Sequence, residues 1–115
     1  MLKDDIIRLR HMLDAAKEAL SFAAGKSGGS LRTDRMLVLS LVKEIEIIGE
    51  AANKLSPATR SAHPEISWRD VVGMRHHLIH VYFDIDLDIL WDTVTKDLPP
   101  LIAALEKILL DKWIP

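Results

Sequence analysis

The chain has 115 residues, of which 49% are hydrophobic and 28% are charged, so it is long enough for one domain with its own core. Its net charge of −2 argues against a general duplex-binding surface, because such modules usually carry a surplus of lysine and arginine. The absence of cysteine excludes disulfides, thiolate catalysis and cysteine-based zinc sites.

The first two predicted helices are defined by apolar residues that recur with helical spacing. One covers residues 3–24, where charged residues recur throughout, unlike the apolar run of a signal peptide. The glycine-rich stretch 25–30 predicts a flexible loop, after which Thr33 or Asp34 can cap a second helix that extends to Leu55. No apolar run is long enough to span a membrane. We therefore expect a cytoplasmic protein, which is compatible with the absence of cysteine.

The second helix has two features that bear on function. It is apolar around so much of its circumference that more than one partner should cover it, and the second cover could be another copy of the chain. Glu46 and Glu50 lie one turn apart on its polar flank. We interpret these two residues as a solvated edge, with a carboxylate beside a cationic site as the alternative.

Two further helices have recognisable ends. Ser56-Pro57 is a helix start, and the short helix that it opens should end before Pro64. Ser67 can cap a central helix over residues 68–82, with Asp70 three residues on as a variant of the capping box.

The last helix begins near Asp86, which can cap it, and Pro99-Pro100 should kink this helix or divide it in two. No segment shows the alternation of a strand. The sequence therefore predicts a single all-α domain over residues 1–115. Its expected architecture is an up-and-down four-helix bundle with a short extra connecting helix.

The central helix carries one residue that packing does not explain. Arg75 falls in the middle of an apolar face, where a guanidinium is costly to bury without a partner. His76 and His80 lie together on the adjoining flank. Arginine can hold a phosphate, and histidine can transfer a proton near neutral pH. Such a pair suits cleavage of RNA by its own 2′-hydroxyl, which requires no metal.

A metal site is the alternative interpretation of these histidines. His76, His77 and His80 allow a metal site, but the glutamate of a zinc-hydrolase helix and a third ligand are missing, so this is the minority interpretation.

Arg75 and His80 are five residues apart, which is about 140° around an ideal helix and about 7.5 Å along it. A composite site would require the helix to loosen near His80, or a second copy to contribute across a two-fold axis.

The spacing Arg75-x4-His80-x-Tyr82 resembles the signature of the HepT-like branch of the HEPN superfamily, whose members are small helical domains and in many cases ribonucleases. The segments EIEIIGEAANKLS, ISWRDVVGMR, YFDID and DLPPL agree in order, so that the resemblance covers nearly the whole chain. It implies a HEPN-like fold and a toxin that cuts RNA as a homodimer without metal or other cofactor. Arg75 would stabilise the scissile phosphate, His80 would transfer a proton, and His76 would have a supporting role.

The resemblance also implies a partner, a minimal nucleotidyltransferase antitoxin of the MntA-like kind, which silences the toxin by adenylylating Tyr82. An adenylyl group there would add bulk and a negative phosphate near the cationic site, and that phosphate could occupy Arg75 in place of RNA. The alternative is a non-catalytic helical module that binds the nucleotidyltransferase, or a nucleotide, through the same face. The two hypotheses differ in activity and share one fold.

Overall fold

Helices joined by short connections build the part of the chain that the computed structural model describes, residues 1–81 and 84–112. The helices are α1 (Lys3–Ala23), α2 (Arg35–Asn53), α3 (Pro57–Ala62), α4 (Trp68–Leu78), α5 (Leu87–Asp92) and α6 (Leu98–Leu109). A short antiparallel hairpin of β1 (Ile79–Val81) and β2 (Asp84–Ile85) joins α4 to α5. The predicted all-α class is confirmed, with α3 as the short connecting helix. Tyr82 lies outside the described residues.

Local capping explains where several helices begin. Asp34, Ser56 and Asp86 each accept a hydrogen bond from the backbone N–H three residues on, at 3.0, 3.3 and 3.0 Å, as the sequence predicts for α2, α3 and α5. Ser67 precedes α4 as expected. Its hydroxyl donates to the carboxylate of Asp70 at 2.8 Å and does not accept from the backbone, so the predicted capping box is wrong in its bonding.

The core lies mainly where α2 and α6 pack against α1, and α4 closes one side of it on α2. The largest apolar side chains with no exposure are Leu9, Met12, Leu41, Ile45, Ile48, Leu78, Leu90, Leu98 and Leu105. Burial of each such side chain contributes roughly 1.5–3 kcal/mol. No described helix combines the length and the apolar character that a membrane-spanning helix needs.

One buried carboxylate ties α1 to the start of α3. Asp5 is 1% exposed and accepts hydrogen bonds from the hydroxyls of Ser56 and Thr59, both at 2.6 Å, and from the Ser56 amide at 3.2 Å. Burial alone would raise the pKa of Asp5, but these hydrogen bonds outweigh it and hold the pKa below its ordinary value. The pairing fixes the turn between α2 and α3 against α1.

Three segments can be compared with their predicted boundaries. The central helix ends at Leu78 instead of residue 82, because the Leu78 carbonyl accepts the Asp86 amide at 2.8 Å and the chain turns into the hairpin. The predicted loop is wrong from Gly28, where a 3-10 turn (Gly28–Arg32) begins. The last helix is divided as predicted. Its middle is a π turn (Thr93–Asp97), followed by two prolines that have no N–H to donate.

Candidate functional site

Arg75 lies in the last turn of α4 and its side chain is 52% exposed. The buried residues of α4 are Trp68, Val71 and Leu78, and at 100° per residue Arg75 falls between Trp68 and Val71 on the same side of the helix. Arg75 thus shares the side of the apolar stripe, as expected, but its side chain is not buried. Its Nε donates to Oε1 of Glu46 on α2, at 2.9 Å. Arg75 therefore has a carboxylate partner and retains access to solvent.

Glu46 lies in a different environment from the one that the sequence predicted. It is not a solvated edge, since its side chain is 27% exposed and contacts Arg75 on one oxygen, while Lys43 lies 3.9 Å from the other. Glu50, one turn further along α2, is exposed and lines the same groove. The alternative interpretation, a carboxylate beside a cationic site, describes Glu46 correctly.

A groove of about 450 Å³ between α2 and α4 contains these groups, and we call it the Arg75 groove. Its lining residues are Ile45, Glu46, Gly49, Glu50, Asn53, Val72, Arg75 and His76. Gly49 lies where α2 faces α4, and a Cβ there would lie 3.4 Å from the Val72 carbonyl oxygen, at the lower limit of ordinary van der Waals contact. The two helices therefore pack closely in the groove that contains Arg75 and Glu46.

His80 lies in β1, two residues beyond the end of α4, and its side chain is 53% exposed. Its Nε2 lies 3.7 Å from Oδ2 of Asp86. The Ile89 amide, which Asp86 caps, lowers the pKa of Asp86, and His80 lowers it further. An ionised carboxylate therefore stands beside the imidazole. The sequence predicted Asp86 only as a helix cap and gave no signal of its position beside His80.

The structure separates the three histidines. His76 lines the Arg75 groove, His77 lines a second groove on the other side of α4, and His80 lies in the hairpin. Within residues 1–81 and 84–112, no three histidine, aspartate or glutamate side chains are grouped so that they could hold a metal ion. The angle of 140° between Arg75 and His80 no longer applies, because the helix ends before His80. Even so, His80 is not among the residues that line the Arg75 groove of a single chain.

Comparison with known proteins places the chain in a family. The model of the family described as "Ribonuclease HepT-like" matches residues 12–108. A protein of Caldanaerobacter subterraneus subsp. tengcongensis named "Putative RNase TTE0752" is 34% identical over 101 residues, which cover 88% of this chain and 90% of that protein. "Probable ribonuclease HepT" of Thermococcus cleftensis is 40% identical over 75 residues, covering 65% of this chain and 68% of that protein.

A third relative is longer. "Gamma-glutamylcyclotransferase and putative RNase MJ0434" of Methanocaldococcus jannaschii is 35% identical over 114 residues, which cover 97% of this chain and 51% of that protein. No solved structure matches the chain. The family match extends over most of the sequence and confirms the resemblance that the motifs indicated. The chain belongs to the HepT-like ribonuclease family.

Proposed function

We propose that this protein is a metal-independent RNA endonuclease, the toxin of a toxin–antitoxin pair, and acts in the cytoplasm as a homodimer. Arg75 and His80 are the proposed catalytic residues. The observation that carries the proposal is the ion pair between Arg75 and Glu46, in which Nε and Oε1 are 2.9 Å apart. This contact orients the guanidinium inside a groove through Nε, and the two terminal nitrogens can then bind a phosphate bidentately.

The proposed reaction uses the 2′-hydroxyl of RNA as the nucleophile. The 2′-oxygen bonds to phosphorus, the bond from phosphorus to the 5′-oxygen breaks, and the products end in a 2′,3′-cyclic phosphate and a 5′-hydroxyl. We assign His76, which lines the groove next to Arg75, the supporting role of accepting the 2′-hydroxyl proton. Protonated His80 gives a proton to the leaving 5′-oxygen, and Asp86 at 3.7 Å stabilises the imidazolium. Arg75 stabilises the charge that develops on the phosphoryl oxygens.

The exposed face of α2 supports the homodimer. Met36 is 80% exposed and Leu39 is 49% exposed, and their side of the helix continues to Glu46 and the Arg75 groove. Met36 and Leu39 lie within one turn of each other, and exposed large apolar side chains grouped in this way are candidates for an interaction surface. A second copy that covers them could bring its own His80 to the Arg75 groove of the first, where a single chain places none.

Silencing by a minimal nucleotidyltransferase antitoxin, through adenylylation of Tyr82, belongs to the same proposal and rests on the family resemblance. Tyr82 follows His80 by two residues in the sequence, so an adenylyl group on it would fall within the motif that contains the proposed proton donor. The added phosphate would compete with RNA for a cationic group. Cleavage by the purified protein should therefore decrease after incubation with such an enzyme and ATP, and Tyr82→Phe should abolish that decrease.

The test of the activity compares wild type with Arg75→Ala and His80→Ala, each incubated with end-labelled single-stranded RNA in EDTA. We expect the wild type to cut and each variant to lose about 100-fold or more in rate, the range of a missing electrostatic or acid–base group. Arg69→Ala and His77→Ala are matched controls, because both residues are exposed on the same helix outside the Arg75 groove. Intact RNA with wild type, or full cleavage by Arg75→Ala, would contradict the proposal and favour the non-catalytic module.

A mixing experiment tests whether the site is shared. If Arg75 of one protomer acts with His80 of the other, a heterodimer of Arg75→Ala and His80→Ala contains one intact pair and should regain about half of the wild-type activity. If both residues act within one chain, the mixed dimer stays inactive. Co-expression followed by purification through two different tags supplies the heterodimer.

A further inference from the structure

The side of α4 away from Arg75 faces a second groove, which lies between α4 and the segment from α5 to α6. It has a volume of about 580 Å³, in the range of about 300–1,000 Å³ that is typical of ligand-binding clefts. Its floor is apolar and includes Ile66, Met74, Ile89 and Leu101. Protein interiors are close-packed, so an open apolar groove of this size suggests a binding surface more than a packing defect.

Carboxylates surround this floor. Glu65, Asp70 and Asp97 line the groove, all three are exposed, and no lysine or arginine is among the described lining residues. His77 is the one basic group among these lining residues. We call this site the acidic groove. Its charge disfavours a phosphate backbone and favours a cationic occupant.

The three carboxylates differ in the contacts that they already make within the chain. Asp70 accepts a hydrogen bond from Ser67 at 2.8 Å, and Glu65 lies 3.4 Å from the Nδ1 of His63. Within residues 1–81 and 84–112, Asp97 has no ion-pair or side-chain hydrogen-bond partner. Asp97 is therefore the carboxylate best placed to receive a cation from outside.

The wall of the groove opposite α4 is built on an irregular helix. Thr93 and Asp97 are the two ends of the π turn, and both line the groove. The Leu98 amide donates to the Thr93 carbonyl, five residues back, and the next two residues are prolines without an N–H. The sequence therefore maintains a wide turn here, and π turns inside α-helices are frequent at functional sites.

We propose that the acidic groove is a docking site for a segment of a partner protein that presents apolar side chains flanked by lysine or arginine. The apolar side chains cover Met74 and the rest of the floor, and the cationic groups pair with Asp97 and Glu65. Charge complementarity selects this occupant, because an acidic segment or an RNA strand would meet three carboxylates, with no lysine or arginine among the lining residues that the structure describes.

Docking in the acidic groove leaves the Arg75 groove open. His76 and His77 are neighbours in sequence, but they line different grooves, since successive helical residues are about 100° apart. A bound segment therefore contacts α4 from the side opposite the proposed catalytic groups. RNA and the segment should bind at the same time, and this inference does not depend on the proposed ribonuclease activity.

The test uses the full chain and three labelled peptides of equal length. The first has leucine and lysine arranged with helical spacing, so that leucine forms one face and lysine the other. The second has glutamate in place of lysine, and the third has serine in place of leucine. Fluorescence anisotropy measures binding to wild type, Asp97→Lys, Asp97→Asn and a matched control, Asp14→Lys. Asp14 is an exposed aspartate on α1 outside the acidic groove, so its variant has the same change of charge.

We expect wild type and Asp14→Lys to bind the leucine–lysine peptide alike. Affinity should fall about 10-fold or more in Asp97→Lys and about 3-fold in Asp97→Asn, which keeps the size of the side chain and guards against a folding defect. Both other peptides should bind at least 10-fold more weakly, and a single-stranded RNA should not compete. No binding by the leucine–lysine peptide, equal binding by Asp97→Lys and Asp14→Lys, or displacement by RNA would overturn the proposal.

Discussion

Carboxylates line the grooves on both sides of α4, but among the described residues only those on one side pair with an arginine or lysine of the chain. Towards α2, Glu46 holds Arg75 at 2.9 Å and makes a groove with an oriented cation. Towards α5 and α6, three carboxylates surround an apolar floor without a lysine or arginine among the described lining residues. A chain with a net charge of only −2 thus presents an exposed guanidinium on one side of α4 and exposed carboxylates on the other. Local pairing decides the chemistry of each side, and the overall charge does not.

The largest expected effect comes from a substitution that keeps the positive charge at position 75 but removes the planar guanidinium. In Arg75→Lys, the ammonium cannot hold Glu46 and bind a phosphate bidentately at the same time. We expect the rate of RNA cleavage to fall about 10- to 100-fold, against little change in Arg69→Lys. Single-turnover cleavage of labelled RNA measures both rates. Wild-type rates in Arg75→Lys would mean that charge alone matters on this side of α4.

Glu44 shows what happens to a carboxylate that has no cation. It is two residues from Glu46 but 4% exposed, and its Oε2 has no hydrogen-bond partner in the described structure. Burial, together with the neighbouring Glu18, raises the pKa of Glu44 to about 7. Between its ordinary pKa of 4.5 and about pH 7, Glu44 is therefore protonated in the folded chain but ionised in the unfolded chain. Stability should fall as the pH rises towards 7 and then level off.

The expected loss between pH 5 and pH 8 is about 1–3 kcal/mol in the free energy of unfolding. Urea unfolding at several pH values measures it. Glu44→Gln should remove most of this dependence, because an amide does not ionise. Glu46→Gln, the same change on the same helix, should retain it. A dependence that is identical in the two variants would assign the effect to other groups.

The contribution of Glu46 can be measured on its own. In Glu46→Gln the amide oxygen can still accept the Arg75 Nε–H, but the charge is lost, so we expect cleavage to fall about 3- to 10-fold. Glu106→Gln is the control, because Glu106 is also a carboxylate in an exposed ion pair, with Lys17 at 3.5 Å. Unfolding free energies should change by less than about 1 kcal/mol in both variants. A large loss of stability in Glu46→Gln would indicate a structural role instead.

The smallest expected effect concerns Asp86. Asparagine caps a helix as well as aspartate does, so Asp86→Asn should keep the start of α5 and remove only the charge beside His80. Without that charge, His80 loses the carboxylate that lies 3.7 Å from its Nε2, so we expect the rate of RNA cleavage to fall about 2- to 3-fold in a single-turnover assay. Asp88→Asn, an exposed aspartate on the same helix, should leave the rate unchanged.

Family membership and helix starts could be predicted because their signals are local in the sequence. The caps Asp34, Ser56 and Asp86 act within three residues, and the double proline at 99–100 divides a helix through its own missing donors. The motif that includes Arg75, together with Tyr82 and the segments that agree in order around it, indicated the family. None of these signals requires knowledge of what packs against the helix.

Tertiary structure alone decided what surrounds the motif. The end of α4 at Leu78 depends on a hydrogen bond from Asp86, eight residues on, which the apolar periodicity of the segment does not encode. The same periodicity places Arg75 on the apolar side of the helix but does not specify its partner, which is Glu46, 29 residues earlier in the chain. A helical pattern specifies which side chains share a face, whereas packing specifies which partner each of them meets.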